Sequence, residues 1–206
     1  DPEVHIVEPF YIPVTWERVK GIDYGYASES CCLWGAVDRA DGTLIIYREL
    51  YRKNLTGLDL GRIITEMEIE DPFSVQGVLD TAAWARTGTT GPTVGETLQQ
   101  LGHKLRRADK NRIQGKIQIH EYLKVQNNGR PRLQIFNNCP NLIRELQSIP
   151  LSKTKPEDVD THASDHAYDA LRYLIMSRPR VTDPLQRIRE LKRESIYKPT
   201  DPEFGY

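Results

Sequence analysis

Cysteine is scarce in this chain: three in 206 residues, two of them adjacent at Cys31 and Cys32. That excludes a disulfide framework and leaves no C-x-x-C pair for zinc, so the three read as packing residues in a reducing compartment. Long apolar runs are also missing, since nothing approaches the ~18 residues of a membrane span. The opening DPEVHIVEPF lacks the basic-then-apolar pattern of a secretory signal, and membrane and secretory readings are set aside. Nor is there an excess of one charge. With 28 Lys and Arg against 29 Asp and Glu, the net charge is −1, so any surface for nucleic acid must be local. The first residue is Asp rather than Met, which fits a processed product or a piece of something longer.

What is present suffices for a core. A hydrophobic fraction of 38%, with three Trp, ten Tyr and four Phe, argues for a globular protein with polar extensions rather than disorder. Residues 1–17, with Pro2, Pro9 and Pro13, read as an N-terminal arm or linker. RVKGID, from Arg18 to Asp23, reads as a strand; the run beginning at Ser30 gives two more around a turn at Asp41-Gly42. Leu60, Ile63, Ile64 and Met67 recur at helical spacing and predict a helix over 58–69. A strand at 74–80, a helix at 92–102, the strand HKLRR, a helix at 111–126, a strand at 132–136 and a helix at 140–149 follow. A last helix carries the stripe Ala167, Ala170, Leu171, Leu174 and Ile175, and Pro179 ends it. The domain then occupies 18–178, and the polar stretch 179–206 reads as a C-terminal tail. A three-stranded antiparallel meander followed by alternating helices and strands predicts an α/β domain, a mixed sheet flanked by helices.

Three carboxylates stand where a folded domain has little structural use for them. Asp23 follows the apolar positions of the first strand, Asp80 ends Val78-Leu79, and Asp169 adjoins the stripe of the last helix. A buried Asp is costly unless it is paired or binds a cation. If the two strands are neighbours and the helix crosses their ends, the three converge. Such oxygen ligation suits Mg²⁺ or Mn²⁺, and two ions about 4 Å apart activate water and stabilise the leaving oxygen in phosphodiester cleavage. Each residue also has a plain reading: Asp23 as a turn residue before Gly25, Asp80 as a cap for the turn TAAW, Asp169 as a solvent-facing helix residue.

Other features carry two readings as well. KLRRADKNRIQGK sets Lys104, Arg106, Arg107, Lys110, Arg112 and Lys116 against Asp109. It is either a patch that neutralises DNA phosphates or a solvated strand end and helix start. Tyr24, Tyr26 and Trp84 line a groove or pack. His162 and His166 are spaced as zinc ligands but lack the Glu of H-E-x-x-H, and zinc is set aside. Asp23-Tyr24-Gly25 matches the D-x-G phosphate motif of actin-like kinases, which need two lobes and a longer chain.

GIDYGYASESCCLWGAVD, GVLDTAAW, RADKNRIQGKIQIHEYLK and PEDVDTHASDHAYDALRYLI together resemble the nuclease domain of the large terminase subunit of tailed double-stranded DNA bacteriophages, in the ribonuclease H-like superfamily. The match runs from about Gly21 to Met176, and the run D-H-A-Y-D-A-L-R-Y is its specific part. The resemblance implies a ribonuclease H-like sheet and a two-metal-ion endodeoxyribonuclease that cuts concatemeric viral DNA during packaging. It puts catalysis and metal binding on Asp23, Asp80 and Asp169, with Asp165 and His166 as further candidate ligands, and Mg²⁺ or Mn²⁺ as the cofactor. Implied partners are double-stranded DNA, an upstream ATPase motor, the small terminase subunit, and the portal and procapsid, met in the host cytoplasm. No G-x-x-x-x-G-K-[ST] phosphate loop occurs here, so the chain corresponds to the nuclease half. A junction resolvase of the same fold and a non-catalytic DNA or portal docking module are the alternatives.

Overall fold

Cys31 to Ala36 are small or apolar at every position, and only a strand covered on both faces tolerates that pattern. The computed structural model, which describes residues 1–86, 91–148 and 165–178, places this run at the centre of a seven-stranded sheet. In chain order the elements are α1 (Pro2–His5), β1 (Ile6–Val7), β2 (Glu17–Asp23), β3 (Glu29–Val37), β4 (Leu44–Lys53), α2 (Gly57–Met67) and β5 (Gln76–Leu79). A 3-10 turn (Thr81–Trp84), α3 (Val94–Gln100), β6 (Leu105–Arg107), α4 (Arg112–Leu123), β7 (Leu133–Phe136), α5 (Pro140–Ser148) and α6 (His166–Met176) follow.

The strand order is β1-β7-β4-β3-β2-β5-β6. β2, β3 and β4 form the antiparallel meander, while β5, β6, β7 and β1 join in parallel, which makes the sheet mixed. Gly42 turns the β3–β4 connection at φ +79, a conformation that suits a residue without Cβ. α2 and α3 each start with a capping box, Thr56 with Asp59 and Thr93 with Glu96, so their first amides are satisfied locally.

Alternation along β3 divides the core. Leu33 joins Leu44, Ile46, Leu171 and Leu174 on the face covered by α4, α5 and α6; Cys32 and Trp34 join Ile45, Leu60, Ile64 and Leu98 under α2 and α3. All three cysteines are buried and free. Among the described residues no helix is long and apolar enough to cross a membrane.

The stretch 1–17, read from its prolines as an arm, is partly built into the domain. Ile6 and Val7 add an edge strand parallel to β7, the His5 ring is 2.8 Å from the Leu123 carbonyl, and Phe10 packs edge-on against Phe136. The cause is an open edge on β7 that two apolar, β-prone residues can fill. Residues 149–164 and 179–206, with His162 and the tail among them, lie outside the described residues.

Candidate functional site

Parallel pairing of β2 with β5 sets Ile22 beside Leu79, so Asp23 and Asp80 are the next pair at the carboxyl ends of adjacent strands. The Asp80 amide donates to the Ile22 carbonyl at 2.9 Å. Asp80 stands at the start of the 3-10 turn, yet its side chain caps nothing there; it accepts from the Tyr173 hydroxyl at 3.3 Å. α6 lies directly on β2, because Gly21 carries no Cβ. One built there would stand 2.3 Å from the Ala170 carbonyl oxygen.

That close approach brings further side chains of α6 to the strand ends, where they meet Glu29 of β3 and Arg112 of α4. His166 Nδ1 is 2.9 Å from Asp23 Oδ2, and its Nε2 is 3.5 Å from Glu29 Oε2. Asp169, buried to 8% exposure, accepts from Arg172 Nε at 3.0 Å and from Arg112 Nη1 at 3.3 Å. Arg112 reaches in from the first residue of α4 and also donates to Asp165 Oδ2 at 3.3 Å.

The electrostatics tie these groups together. Burial, more than any neighbour, pushes the Asp23 carboxyl up to about 6; the charges of Asp169 and Asp80 add to it, and the His166 hydrogen bond opposes it. That same bond to Asp23 raises His166. Asp165 is raised by burial and then by Asp169. The Tyr173 phenol is raised by burial and by Asp169, Asp80 and Asp23 in turn. Three carboxylates acting on one phenol share one space.

By chemistry the donors suit a hard divalent cation: carboxylate oxygens, crowded, with one carboxyl already driven toward its neutral form. Their present arrangement is another matter. Among the described residues no three His, Cys, Asp or Glu side chains surround one point as metal ligands do. Asp165 and Asp169 are held by Arg112 and Arg172, and Asp23 by His166, so taking up an ion requires these side chains to turn from protein partners.

The six basic residues of 104–116 do not form one patch. Arg112 belongs to the carboxylate cluster. Lys104 and Arg106 line a cavity of about 560 Å³ with Gln76 and Glu17, beside the starts of β2 and β5. Arg107 lies over the Trp84 ring at 5.5 Å and pairs in register with Leu79, next to Asp80. Lys110 is exposed in the turn before α4, and Lys116 is half-buried on it. Of the aromatics, Tyr24 donates its hydroxyl to the Leu55 carbonyl, while Tyr26 is 57% exposed. Tyr173, Arg172 and Glu29 were not among the predicted site residues. The first two sit at i+4 and i+3 from Asp169, a spacing that could have singled them out.

No family model matches the sequence, and no curated protein does. Among solved structures, the chain is similar to the P22 large terminase nuclease domain, with TM-score 0.70 at 14% identity over 86% of this chain and 89% of that one. It is similar to the large terminase of a thermophilic bacteriophage in complex with ATP-gamma-S, with TM-score 0.68 at 18% identity over 84% of this chain and 42% of that one. It also matches the large terminase nuclease domain of bacteriophage SPP1 with bound Mn, with TM-score 0.58 at 15% identity over 82% and 93%. The nuclease of thermophilic phage G20c, solved with bound zinc, lies further off at TM-score 0.53. The chain therefore has the ribonuclease H-like fold of large terminase nuclease domains, and it spans about two fifths of the thermophilic phage protein.

Proposed function

We propose that this chain is the nuclease domain of a phage large terminase subunit: a divalent-metal-dependent endonuclease that cuts concatemeric double-stranded DNA during genome packaging. One observation carries the reading. Within that fold, Asp23 and Asp80 end adjacent parallel strands, and α6 brings Asp169 into the same charge-coupled space. Asp23, Asp80 and Asp169 would hold the cation, with Asp165 and His166 beside them. Mg²⁺ or Mn²⁺, as one ion or a pair, suits these oxygen donors best. When bound, the metal supplies Lewis-acid stabilisation and a water of lowered pKa.

The protein's own groups prepare that site. His166 keeps a proton between itself and Asp23, and Arg112 and Arg172 hold Asp169 against the repulsion of its neighbours. Arg107, in register with Leu79 beside Asp80, and Lys110, exposed just before α4, would meet DNA phosphates. The likeness to a terminase solved with an ATP analogue supports an ATPase domain upstream of a nuclease domain whose sheet, beyond residues 18–178, also takes in the edge strand Ile6–Val7. Small subunit, portal and procapsid, met in the host cytoplasm, complete the set of partners.

The test is incubation with supercoiled plasmid across Mg²⁺ and Mn²⁺ concentrations. Nicking and linearisation that EDTA abolishes are expected. Plasmid that stays intact throughout would favour a docking module, and preferential cutting of four-way junctions would favour a resolvase.

A further inference from the structure

A helix needs acceptors for its first amides, and an Asp at the N-cap position ordinarily provides one. Asp165 occupies that position in α6, but its side chain makes no capping hydrogen bond and accepts from Arg112 instead. The acceptor comes from another helix. Glu145, 1% exposed on the inner face of α5, accepts at Oε2 from the amides of Ala167 at 2.8 Å and Tyr168 at 3.0 Å. Its Oε1 accepts from the Tyr51 hydroxyl at 2.8 Å, and the Tyr51 ring meets the His166 ring edge-on with centroids 6.5 Å apart. A buried carboxylate is expensive unless several donors satisfy it. An apolar residue on this face of α5 would pack at no such cost, so the sequence carries a charge here for something other than packing.

We propose that Glu145 is a positioning residue for the carboxylate cluster: it caps α6 from outside, which leaves the Asp165 carboxylate directed to the cluster and sets His166 against Asp23. The capping bonds pin the start of α6 to α5, and Tyr51 links the same carboxylate to the His166 ring. Residues that orient metal ligands in this way typically govern affinity by about 10–100-fold. The proposal rests on the nuclease reading for its consequence, though not for its geometry.

The test has a metal-free arm and a metal arm, both on the 206-residue chain. In EDTA, Glu145→Gln is expected to speed hydrogen exchange at the Ala167 and Tyr168 amides by about 10-fold, the loss that follows from replacing a charge-assisted carboxylate acceptor by a neutral amide oxygen, while the β3 amides stay protected. Asp165→Asn should leave both amides as they are; equal acceleration by Asp165→Asn would overturn the capping assignment. In the second arm, Mn²⁺ titration by calorimetry should show affinity falling about 10-fold or more in Glu145→Gln, with Asp165→Asn costing little further in that background. Unchanged Mn²⁺ affinity in a folded Glu145→Gln would overturn the positioning role. Were the wild-type chain to bind no Mn²⁺, the nuclease reading and the role in ligation would both fall, and the exchange rates would still decide who caps the helix. If Glu145→Gln does not fold, Tyr51→Phe removes one donor to the same carboxylate. It should move both readouts in the same direction by about twofold, and no movement in either would overturn the proposal.

Discussion

His166 Nδ1 lies 2.9 Å from Asp23 Oδ2, and this pair stands between two elements far apart in sequence, β2 and α6. Burial pushes the Asp23 carboxyl up to about 6, and the bond to Asp23 raises His166. Both groups thus bind protons more tightly folded than unfolded. From about pH 4 to pH 7 this pair binds more protons in the native state than in the unfolded chain, and its contribution to stability falls as pH rises through that window. Asp23→Asn is expected to flatten this slope and to exceed the wild type at about pH 8 by on the order of 1–2 kcal/mol in EDTA. Urea midpoints at about pH 5 and 8 check it; a slope that survives the substitution would place the proton elsewhere.

Cleavage should respond in the opposite sense. Asp23→Asn and Asp80→Asn keep the shape of the strand ends and remove a charge that would hold the cation, so plasmid cutting should drop by at least about 100-fold with the fold intact. Circular dichroism secures the second half of that statement, and gel assays secure the first. Near-wild-type cutting by either variant would remove that residue from the metal site.

Six of the seven strands, most helix boundaries and the three carboxylates were legible because they obey local rules: apolar runs, turn residues and a charge at the end of an apolar strand. What escaped was long-range. Lys20 lies in the strand read from RVKGID, and its ammonium is buried and donates to Glu68 at 2.6 Å, an oxygen that also takes the Trp34 indole N–H. Arg112 reads as one of six cations for DNA, and instead spans Asp165 and Asp169. Glu145 lies within the helix read at 140–149 and is buried beneath α6. In each case the partner lies dozens of residues away or on another helix, and periodicity carries no information about which charges will meet.

Gly21 offers a test of how closely α6 must sit. A Cβ there would meet the Ala170 carbonyl at 2.3 Å and Leu174 Cβ at 2.8 Å, and the first of these is backbone that cannot turn aside. Gly21→Ala should cost at least about 2 kcal/mol in urea denaturation, more than its gain in chain entropy of under about 1 kcal/mol. Because the helix must lift from β2, Mn²⁺ affinity should fall as well. A stable variant that still binds Mn²⁺ tightly would mean the site tolerates a looser helix.

Arg112 holds two carboxylates that would otherwise repel each other. Without metal, Arg112→Ala should lower stability by about 1 kcal/mol, since the ion pairs are only partly shielded from water. Adding Mn²⁺ should then stabilise the variant more than the wild type, because the cation no longer competes with a guanidinium for Asp165 and Asp169. Thermal shifts with and without Mn²⁺ measure both effects. Equal shifts in the two proteins would show that Arg112 and the metal do not share ligands.

The basic residues separate by position, and DNA binding should separate with them. Arg107 pairs beside Leu79 and so lies next to Asp80, while Lys110 is exposed just before the helix that carries Arg112 into the cluster. Lys104 and Arg106 instead flank a cavity with Gln76 and Glu17, beside the starts of the strands whose far ends carry Asp23 and Asp80. Four residues of strand, at about 3.3 Å each, separate Gln76 from Asp80. A duplex held with its scissile phosphate at the carboxylates would therefore meet the first pair before the second. Replacing Arg107 and Lys110 by Gln should weaken binding of a short duplex and reduce the slope of log K against log salt by about 2, one counterion per lost phosphate contact. The matching change at Lys104 and Arg106 should alter the slope by less than about 0.5. Fluorescence anisotropy between low and moderate salt, in Ca²⁺ to hold the chemistry still, gives both slopes. If the second pair of substitutions flattens the slope and the first does not, the DNA path runs over the opposite end of the sheet and the assignment of Arg107 and Lys110 fails.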